Sequence, residues 1–410
     1  MKSEMSQLLA CRPFTRFLLA RMSGLTAHQM LMVVLAWHMY ELTHSAWDLG
    51  LVGLCQFVPA LLATLPAGQV VDRMNRAHVF AASMLTETVV AGIMALSMFT
   101  GSDQPALILA MSVVLGVARA FQMPAQQALT PLLVPPALLN RAVALSSSSM
   151  QVGIIGGPAL GGVLYGLGAA QVYAICAGML LLSAALTAMI RLAHRPPAPA
   201  KGPALRNLLA GLAFVWQRKV LMGAVSLDMF AVLLGGATAL LPIYASDILQ
   251  TGPEGLGALR AAPAVGALIM SLALTRWPLE RHVGRTLLWA VACFGLATVV
   301  FGLSHSFWLS MLALVVTGAA DSISVVVRLT VMQMETPDEM RGRVAAVNSI
   351  FIGASNQLGE FESGAVAALW GAPFSVISGG VGTMLVALLW GSLFPALARR
   401  DRMDGQAHRH

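Results

Sequence analysis

Residues Arg141–Gly162 read RAVALSSSSMQVGIIGGPALGG. After one charged residue the stretch runs without another for about twenty residues, the length that spans the hydrocarbon core of a bilayer. Gly153, Gly157 and Gly161 recur every four residues, so they share one face of a helix and let a neighbouring backbone approach closely. Pro158 lies among them and predicts a kink. The stretch predicts a membrane helix built for close packing.

The same arrangement returns half a chain later. Five small or basic residues recur at an offset of 202 positions, which is 343 minus 141. The pairs are Arg141 and Arg343, Ala144 and Ala346, Ser147 and Ser349, Gly157 and Gly359, and Gly162 and Gly364. Pro59 and Pro263 correspond at nearly the same offset. We interpret the chain as two homologous halves.

The composition is that of an integral membrane protein. Charged residues make up 10% of the 410 and apolar residues 57%, whereas about a quarter of an ordinary soluble domain is charged. The net charge of +7 matches the positive-inside bias of membrane proteins, so we expect no nucleic-acid partner. The four cysteines are scattered singly without metal-ligand spacing, so we expect no metal and no cofactor.

Twelve apolar runs predict an all-α protein with twelve transmembrane helices in two pseudo-symmetric bundles of six. The runs are 14–40, 48–71, 78–99, 105–128, 141–167, 169–190, 220–246, 255–275, 286–303, 306–334, 343–370 and 373–395. The predicted domains are 1–190 and 220–395, joined by a cytoplasmic linker at 191–219 that includes a short amphipathic helix. A cytoplasmic tail follows at 396–410.

Charge asymmetry predicts the orientation. With both termini in the cytoplasm, all but Arg119, Arg260 and Arg328 of the 25 Lys and Arg fall at cytoplasmic helix ends or loops. The opposite loops carry acidic residues, namely Glu41, Asp48, Asp103, Asp247 and Glu254. We expect a multi-pass membrane protein, and a monomer.

The second predicted helix ends in PAGQVVDRMNR, at residues 66–76. Gly68, Asp72, Arg73 and Arg76 resemble the loop motif of the major facilitator superfamily, which implies a conformational latch built from one carboxylate and two guanidinium groups. The chain departs from the motif at Asn75, where glycine is usual. The alternative is a positive-inside anchor with an incidental acid.

Two further stretches resemble exporters of the same superfamily. Gly153, Gly157, Pro158, Gly161 and Gly162 match the fifth-helix motif of its antiporters, with helix packing alone as the alternative. Arg119 and Gln122 resemble its fourth-helix arginine motif. The chain looks most like the bacterial branch that contains the enterobactin exporter. This resemblance implies the major facilitator fold and a place in the bacterial inner membrane.

Charges inside the predicted helices are candidates for proton coupling or for the substrate cavity, because an embedded charge is costly unless it is paired or hydrated. They are Arg119, Asp228, Asp321, Arg328, Glu360 and Glu362. Asp321 and Arg328 lie seven residues apart and share a helix face, so an internal salt bridge between them is the alternative to coupling. For Glu87 a buried hydrogen-bonding role is expected. His28, His38 and His44 could shuttle protons, but they lack metal spacing, so an interfacial or cavity-facing role is expected for them.

Asp228 is the first candidate for the proton carrier. Its neighbours in AVSLDMFAVLLGG are apolar, and desolvation would favour the neutral carboxyl group. The alternative is a hydrated carboxylate near the cytoplasmic end of the helix.

The motifs and charges predict a secondary active transporter that exports a small amphipathic molecule, such as a siderophore or drug, in exchange for protons. An importer of the same fold is the nearest alternative, since fold does not fix direction. The chain contains no GxxxxGK[ST] motif for ATP coupling and neither HExxH nor GxSxG, so we expect no enzyme.

Overall fold

The computed structural model describes residues 7–8, 10–190, 204–279 and 281–401. The described chain is helical, and its first six long helices are α1 (Arg12–Thr43), α2 (Ala46–Arg73), α3 (Arg76–Thr100), α4 (Pro105–Leu129), α5 (Leu139–Leu164) and α6 (Ala169–Ala188). A shorter helix, α7 (Ala204–Gln217), precedes the second set. That set is α8 (Lys219–Leu234), α9 (Gly252–Arg276), α10 (Val283–Leu303), α11 (Phe307–Glu335), α12 (Asp338–Trp370), α13 (Ala372–Leu393) and the short α14 (Pro395–Ala398).

The all-α membrane architecture expected from the apolar runs is confirmed. Among the described helices, eleven spans are long and apolar enough to cross a membrane. α12 is also long, at 33 residues, but acidic, basic and amide side chains lower its hydropathy. The twelve long segments therefore match the predicted ones, with α12 as a polar member.

Contacts divide the chain into two units. Unit 1 comprises residues 1–44, 55–201 and 252–261, and unit 2 comprises 45–54, 202–251 and 262–410. Each unit thus includes a short segment from the sequence of the other predicted half. The predicted boundaries at 190 and 220 stay a prediction; residues 191–203 and 402–410 of the linker and tail lie outside the described residues.

Helix packing within the units repeats. In unit 1, α3 packs along α4 and α6, and α1 packs along α5 and α6. In unit 2, α10 packs along α11 and α13, and α8 packs along α12 and α13. The four helix pairs of unit 1 thus recur in unit 2 between the corresponding helices of the second half, as a duplicated six-helix bundle requires.

The repeated glycines lie where two of these helix pairs approach closely. A Cβ atom on Gly157 of α5 would be 2.6 Å from the Cβ of Gln29 in α1. A Cβ atom on Gly359 of α12 would be 2.8 Å from the carbonyl oxygen of Leu233 in α8. Both glycines therefore let the fifth helix of a repeat touch the first, where a larger residue would force the backbones apart.

Two features position the site of unit 2. α7 packs against α12, with Gly211 close to the backbone of Arg343. α8 ends at Leu234, and the chain continues through Gly235 and Gly236 into a 3₁₀ turn at Ala237–Leu240. The break was not predicted, since the apolar run 220–246 reads as one helix. Two adjacent glycines weaken the helix there.

Candidate functional site

Three embedded charges of the sequence meet in unit 2. Arg328 Nη1 of α11 lies 2.6 Å from Asp228 Oδ2 of α8, and both side chains are almost fully buried. Ser324, one turn before Arg328, donates to the other carboxylate oxygen of Asp228 at 3.3 Å. Asp228 is therefore partnered on both oxygens. The sequence neighbours of Asp228 are apolar, and the fold adds Arg328 and Ser324 as polar partners to a carboxylate that is 5% exposed.

Asp321 completes this cluster without an ion pair of its own in the described part of the chain. Asp321, Ser324 and Arg328 follow one another at spacings of three and four residues, so α11 presents all three on one face. The internal salt bridge considered for Asp321 and Arg328 does not form, because Arg328 pairs with Asp228 and also donates to Asn348 Oδ1 of α12 at 3.3 Å. With both acids ionised, the cluster carries two negative charges and one positive.

A small cavity lies beside the two carboxylates, with room for about one water molecule. Its walls come from α8, α10 and α11, and the lining residues are Asp228, Ala231, Val232, Val291, Phe294, Ala320, Asp321 and Ser324. Apart from the two acids and Ser324, this lining is apolar. The carboxylate of Asp321 therefore borders a cavity that can hold one water molecule, and water can deliver or accept a proton.

The remaining carboxylates of the prediction lie apart from this cavity. Glu360 and Glu362 of α12 are both partly buried. They stand two residues apart, which turns their side chains to different helix faces. Glu360 lies beside Gly53 of α2, where an added Cβ would be 3.1 Å from its Oε2 atom. Neither glutamate lines the cavity of Asp321.

Arg119 belongs to a second polar cluster, in unit 1. Its Nη1 atom lies 2.7 Å from Nε2 of His28 in α1. His28 Nδ1 lies 3.0 Å from Oε2 of Glu87 in α3. Glu87 is fully buried, so the structure places it in the hydrogen-bonding environment that the sequence predicts.

The latch residues lie at the junction of α2 and α3. Asp72 and Arg73 are exposed, and Asp72, Arg73 and Arg76 form no ion pair with one another. Gly68 has open space where its Cβ would stand. Asn75, which departs from the motif, caps α3 by accepting a hydrogen bond from Ala77 N at 3.0 Å, an arrangement that stabilises a helix start.

The fifth-helix glycines contact two partners. Gly153 and Gly161 face Leu25 and Met30 of α1, as Gly157 faces Gln29. Gly162 instead faces the start of α9, where its Cβ would be 2.9 Å from the Cα of Gly257. Pro158 is buried within the continuous helix α5. This geometry agrees with the packing interpretation of the motif.

Sequence reasoning missed three partners. Asn348 and Ser324 bind the Asp228–Arg328 pair, and His28 bridges Arg119 and Glu87. The sequence spacing of Asp321, Ser324 and Arg328 already indicates that the three residues share one helix face. The pairings across helices have no signal in a single sequence.

Comparisons with known proteins agree on one family and one fold. Residues 8–410 match the family model described as transmembrane secretion effector. The chain is 27% identical over 406 residues to the enterobactin exporter EntS of Citrobacter koseri, covering 96% of this chain and 94% of the relative. It is 27% identical over 370 residues to the multidrug efflux pump Tap of Mycolicibacterium fortuitum, covering 87% and 89%.

Solved structures share the fold. A bacterial homologue of the human lysosomal transporter Spinster superposes with a TM-score of 0.72 at 14% identity, covering 97% of this chain and 98% of that one. The nucleoside transporter NupG superposes with a TM-score of 0.72 at 13% identity, covering 93% and 99%.

Proposed function

Because the chain belongs to the transmembrane secretion effector family of the major facilitator superfamily, we propose that it is a secondary transporter that exports a small amphipathic molecule in exchange for protons. The named relatives are an enterobactin exporter and a multidrug efflux pump, which supports export of a siderophore-like or drug-like compound. The protein works as a monomer in the bacterial inner membrane.

The main support for proton coupling is the second carboxylate of the unit 2 cluster, that of Asp321. Arg328 and Ser324 already occupy both oxygens of Asp228, so an ion pair and a hydrogen bond satisfy this carboxylate. Asp321 has no such partner and borders the cavity. An unpaired charge in a membrane protein interior is costly, and uptake of a proton removes it. We therefore assign the exchanged proton to Asp321.

Proton binding changes the charge of the whole cluster. With Asp321 ionised the cluster has a net charge of −1, and with Asp321 protonated it is neutral. A substrate that binds near the cluster and a proton on Asp321 therefore alter each other's affinity, which is the thermodynamic requirement for coupled exchange. Asp228 and Arg328 hold α8 and α11 together in both states.

Transport in inverted membrane vesicles tests this function. Respiring vesicles that contain the protein have an acidic interior, so an exporter accumulates its substrate inside while protons leave. A panel of siderophores and drugs is added, and the pH gradient is followed by fluorescence quenching of a weak base. We expect at least one compound to accumulate and to collapse the gradient. Accumulation that needs ATP and survives a protonophore would contradict the proposal.

The proposed orientation predicts which side of the membrane residue 202 faces. In a background with Cys11, Cys55, Cys176 and Cys293 replaced by alanine, Gly202→Cys is expected to resist a membrane-impermeant maleimide added to spheroplasts and to react in inverted vesicles. The reason is the basic linker sequence, which favours the cytoplasmic side.

Ser102→Cys is the matched control for this labelling. Ser102 lies in the exposed turn between α3 and α4, which the same topology places on the periplasmic side, so it should react in spheroplasts. If Gly202→Cys reacted in spheroplasts and Ser102→Cys did not, the orientation would be opposite to the proposed one.

The latch interpretation predicts that Asp72→Asn slows transport while the protein stays folded and inserted. The three side chains form no ion pair with one another in this structure, so the latch interpretation places their pairing in another transport state, which loss of the carboxylate would make less stable. Initial rates are compared at equal protein abundance, with the exposed Glu339→Gln at the start of α12 as the control. Equal rates in Asp72→Asn and wild type would remove the latch interpretation.

A further inference from the structure

The His28 cluster of unit 1 is not used by the function proposed above. It joins three helices through two hydrogen bonds, from Arg119 of α4 to His28 of α1 and from His28 to Glu87 of α3. His28 and Glu87 are buried, whereas Arg119 is exposed. The second carboxylate oxygen of Glu87, Oε1, is buried and has no hydrogen-bond partner among the residues that the structure describes. An ionisable chain of this kind inside a membrane helix bundle is a functional candidate.

Hydrogen-bond chemistry fixes the protonation state of His28 in this arrangement. A guanidinium group has no acceptor, so His28 Nε2 must accept from Arg119 across the 2.7 Å contact. The imidazole proton is then on Nδ1, where it is donated to Glu87 Oε2 at 3.0 Å. His28 is therefore neutral, and the cluster contains one cation and one carboxylate.

A second proton on His28 is incompatible with the contact to Arg119. The new N–H on Nε2 would point at an N–H of the guanidinium group, placing two donors and two positive charges 2.7 Å apart. Arg119 is the partner that can leave, because its side chain is exposed while His28 and Glu87 are enclosed. The imidazolium that remains is paired with the carboxylate of Glu87.

The other elements packed on α1 bring few charges to this position. α6 has no charged residue, and its titratable groups are Tyr173, which bonds to His38, and Cys176. α5 has Arg141 alone, in its first turn. Arg260 of α9 donates to the backbone of Met32, one turn from His28. On α1 itself, Arg21 lies two turns before His28 and contacts Met150.

We propose that His28 is a second proton-binding site, in unit 1, which exchanges its bond to Arg119 for a proton. Glu87 is the positioning residue that holds the imidazole and neutralises the imidazolium. The inference rests on the proposed function for its role in transport, where it adds a proton site separate from Asp321. Histidine is suited to this role because it changes protonation between pH 5 and 8 more readily than other side chains.

The test is nitrogen NMR of the full-length protein, labelled with ¹⁵N-histidine and held in lipid nanodiscs. His28 is identified by the signal lost in His28→Gln. We expect the neutral Nδ1–H form at high pH and the imidazolium at low pH. In Arg119→Gln the pH dependence of the His28 signals should differ from that of wild type, because a cation beside Nε2 has been removed. His38, ten residues further along α1 and bonded to Tyr173, serves as the internal control.

A His28 that stays neutral across the pH range in which the protein remains folded would overturn the proposal. So would a titration that is unchanged in Arg119→Gln. The wild-type titration alone decides the matter if that variant does not fold. Failure of the proposed function is distinguishable, because Asp321→Asn should lose proton-coupled transport while His28 still titrates.

Discussion

Asp321→Asn is expected to reduce accumulation driven by a pH gradient to the level of vesicles that lack the protein. The amide keeps the shape and the hydrogen-bonding capacity of the carboxyl group but cannot carry the exchanged proton. Exchange of labelled for unlabelled substrate, which needs no net proton movement, should continue. Both activities are measured on the same vesicle preparations at equal protein abundance.

The matched control for this prediction is Glu254→Gln, which removes an exposed carboxylate from the first turn of α9. It is expected to leave both activities at the wild-type level. Full gradient-driven accumulation in Asp321→Asn would exclude Asp321 as the carrier and direct attention to Asp228, Glu360 and Glu362.

Arg328→Met is expected to destabilise unit 2 strongly. The substitution leaves Asp228 buried without its ion pair, and breaking one side of a buried pair costs about 3–5 kcal/mol. The midpoint of thermal unfolding of the detergent-solubilised protein should fall clearly below that of wild type. Adding Asp228→Asn to Arg328→Met should recover much of the loss, because the unpaired charge is then removed.

Arg285→Met is the control for loss of an arginine as such. Arg285 is exposed near the start of α10, so its substitution should change the free energy of unfolding by about 0.5 kcal/mol or less. An Arg328→Met protein as stable as wild type, or a double variant less stable than Arg328→Met, would show that the Asp228–Arg328 pair does not hold α8 and α11 together.

Much of the fold follows from the sequence, because hydropathy over about twenty residues fixes where a helix can cross a membrane. The predicted run 105–128 and the helix Pro105–Leu129 agree almost residue for residue. The correspondence of Gly157 with Gly359 also anticipates that the same helix pair touches in each repeat. The end of α8 at Leu234 could not be predicted, since Gly235 and Gly236 are also tolerated inside apolar helices.

The site was only partly predictable for a different reason. Asp321 and Arg328 share a face through helix periodicity, which is a local property. Whether Arg328 pairs with Asp228 or with Asp321 depends on how α8 and α11 pack. That packing gives Asp228 an arginine partner at 2.6 Å, which is why we propose Asp321 instead of Asp228 as the proton carrier.

His28 illustrates the same limit in unit 1. Its sequence neighbours give no metal spacing and no motif, so an ordinary cavity-facing role was expected. Only the fold brings Arg119 and Glu87 to its two ring nitrogens. The significance of a buried histidine depends on these partners.

In the proposed mechanism, substrate binding and protonation of Asp321 are linked, and proton release on substrate binding measures this linkage. Purified protein in weakly buffered solution with a pH indicator is titrated with a compound that the vesicle assay identifies as transported. We expect proton release that rises with bound substrate in the wild type and is reduced in Asp321→Asn, although the variant still binds the compound. Binding without proton release in the wild type, or equal release from both proteins, would contradict it.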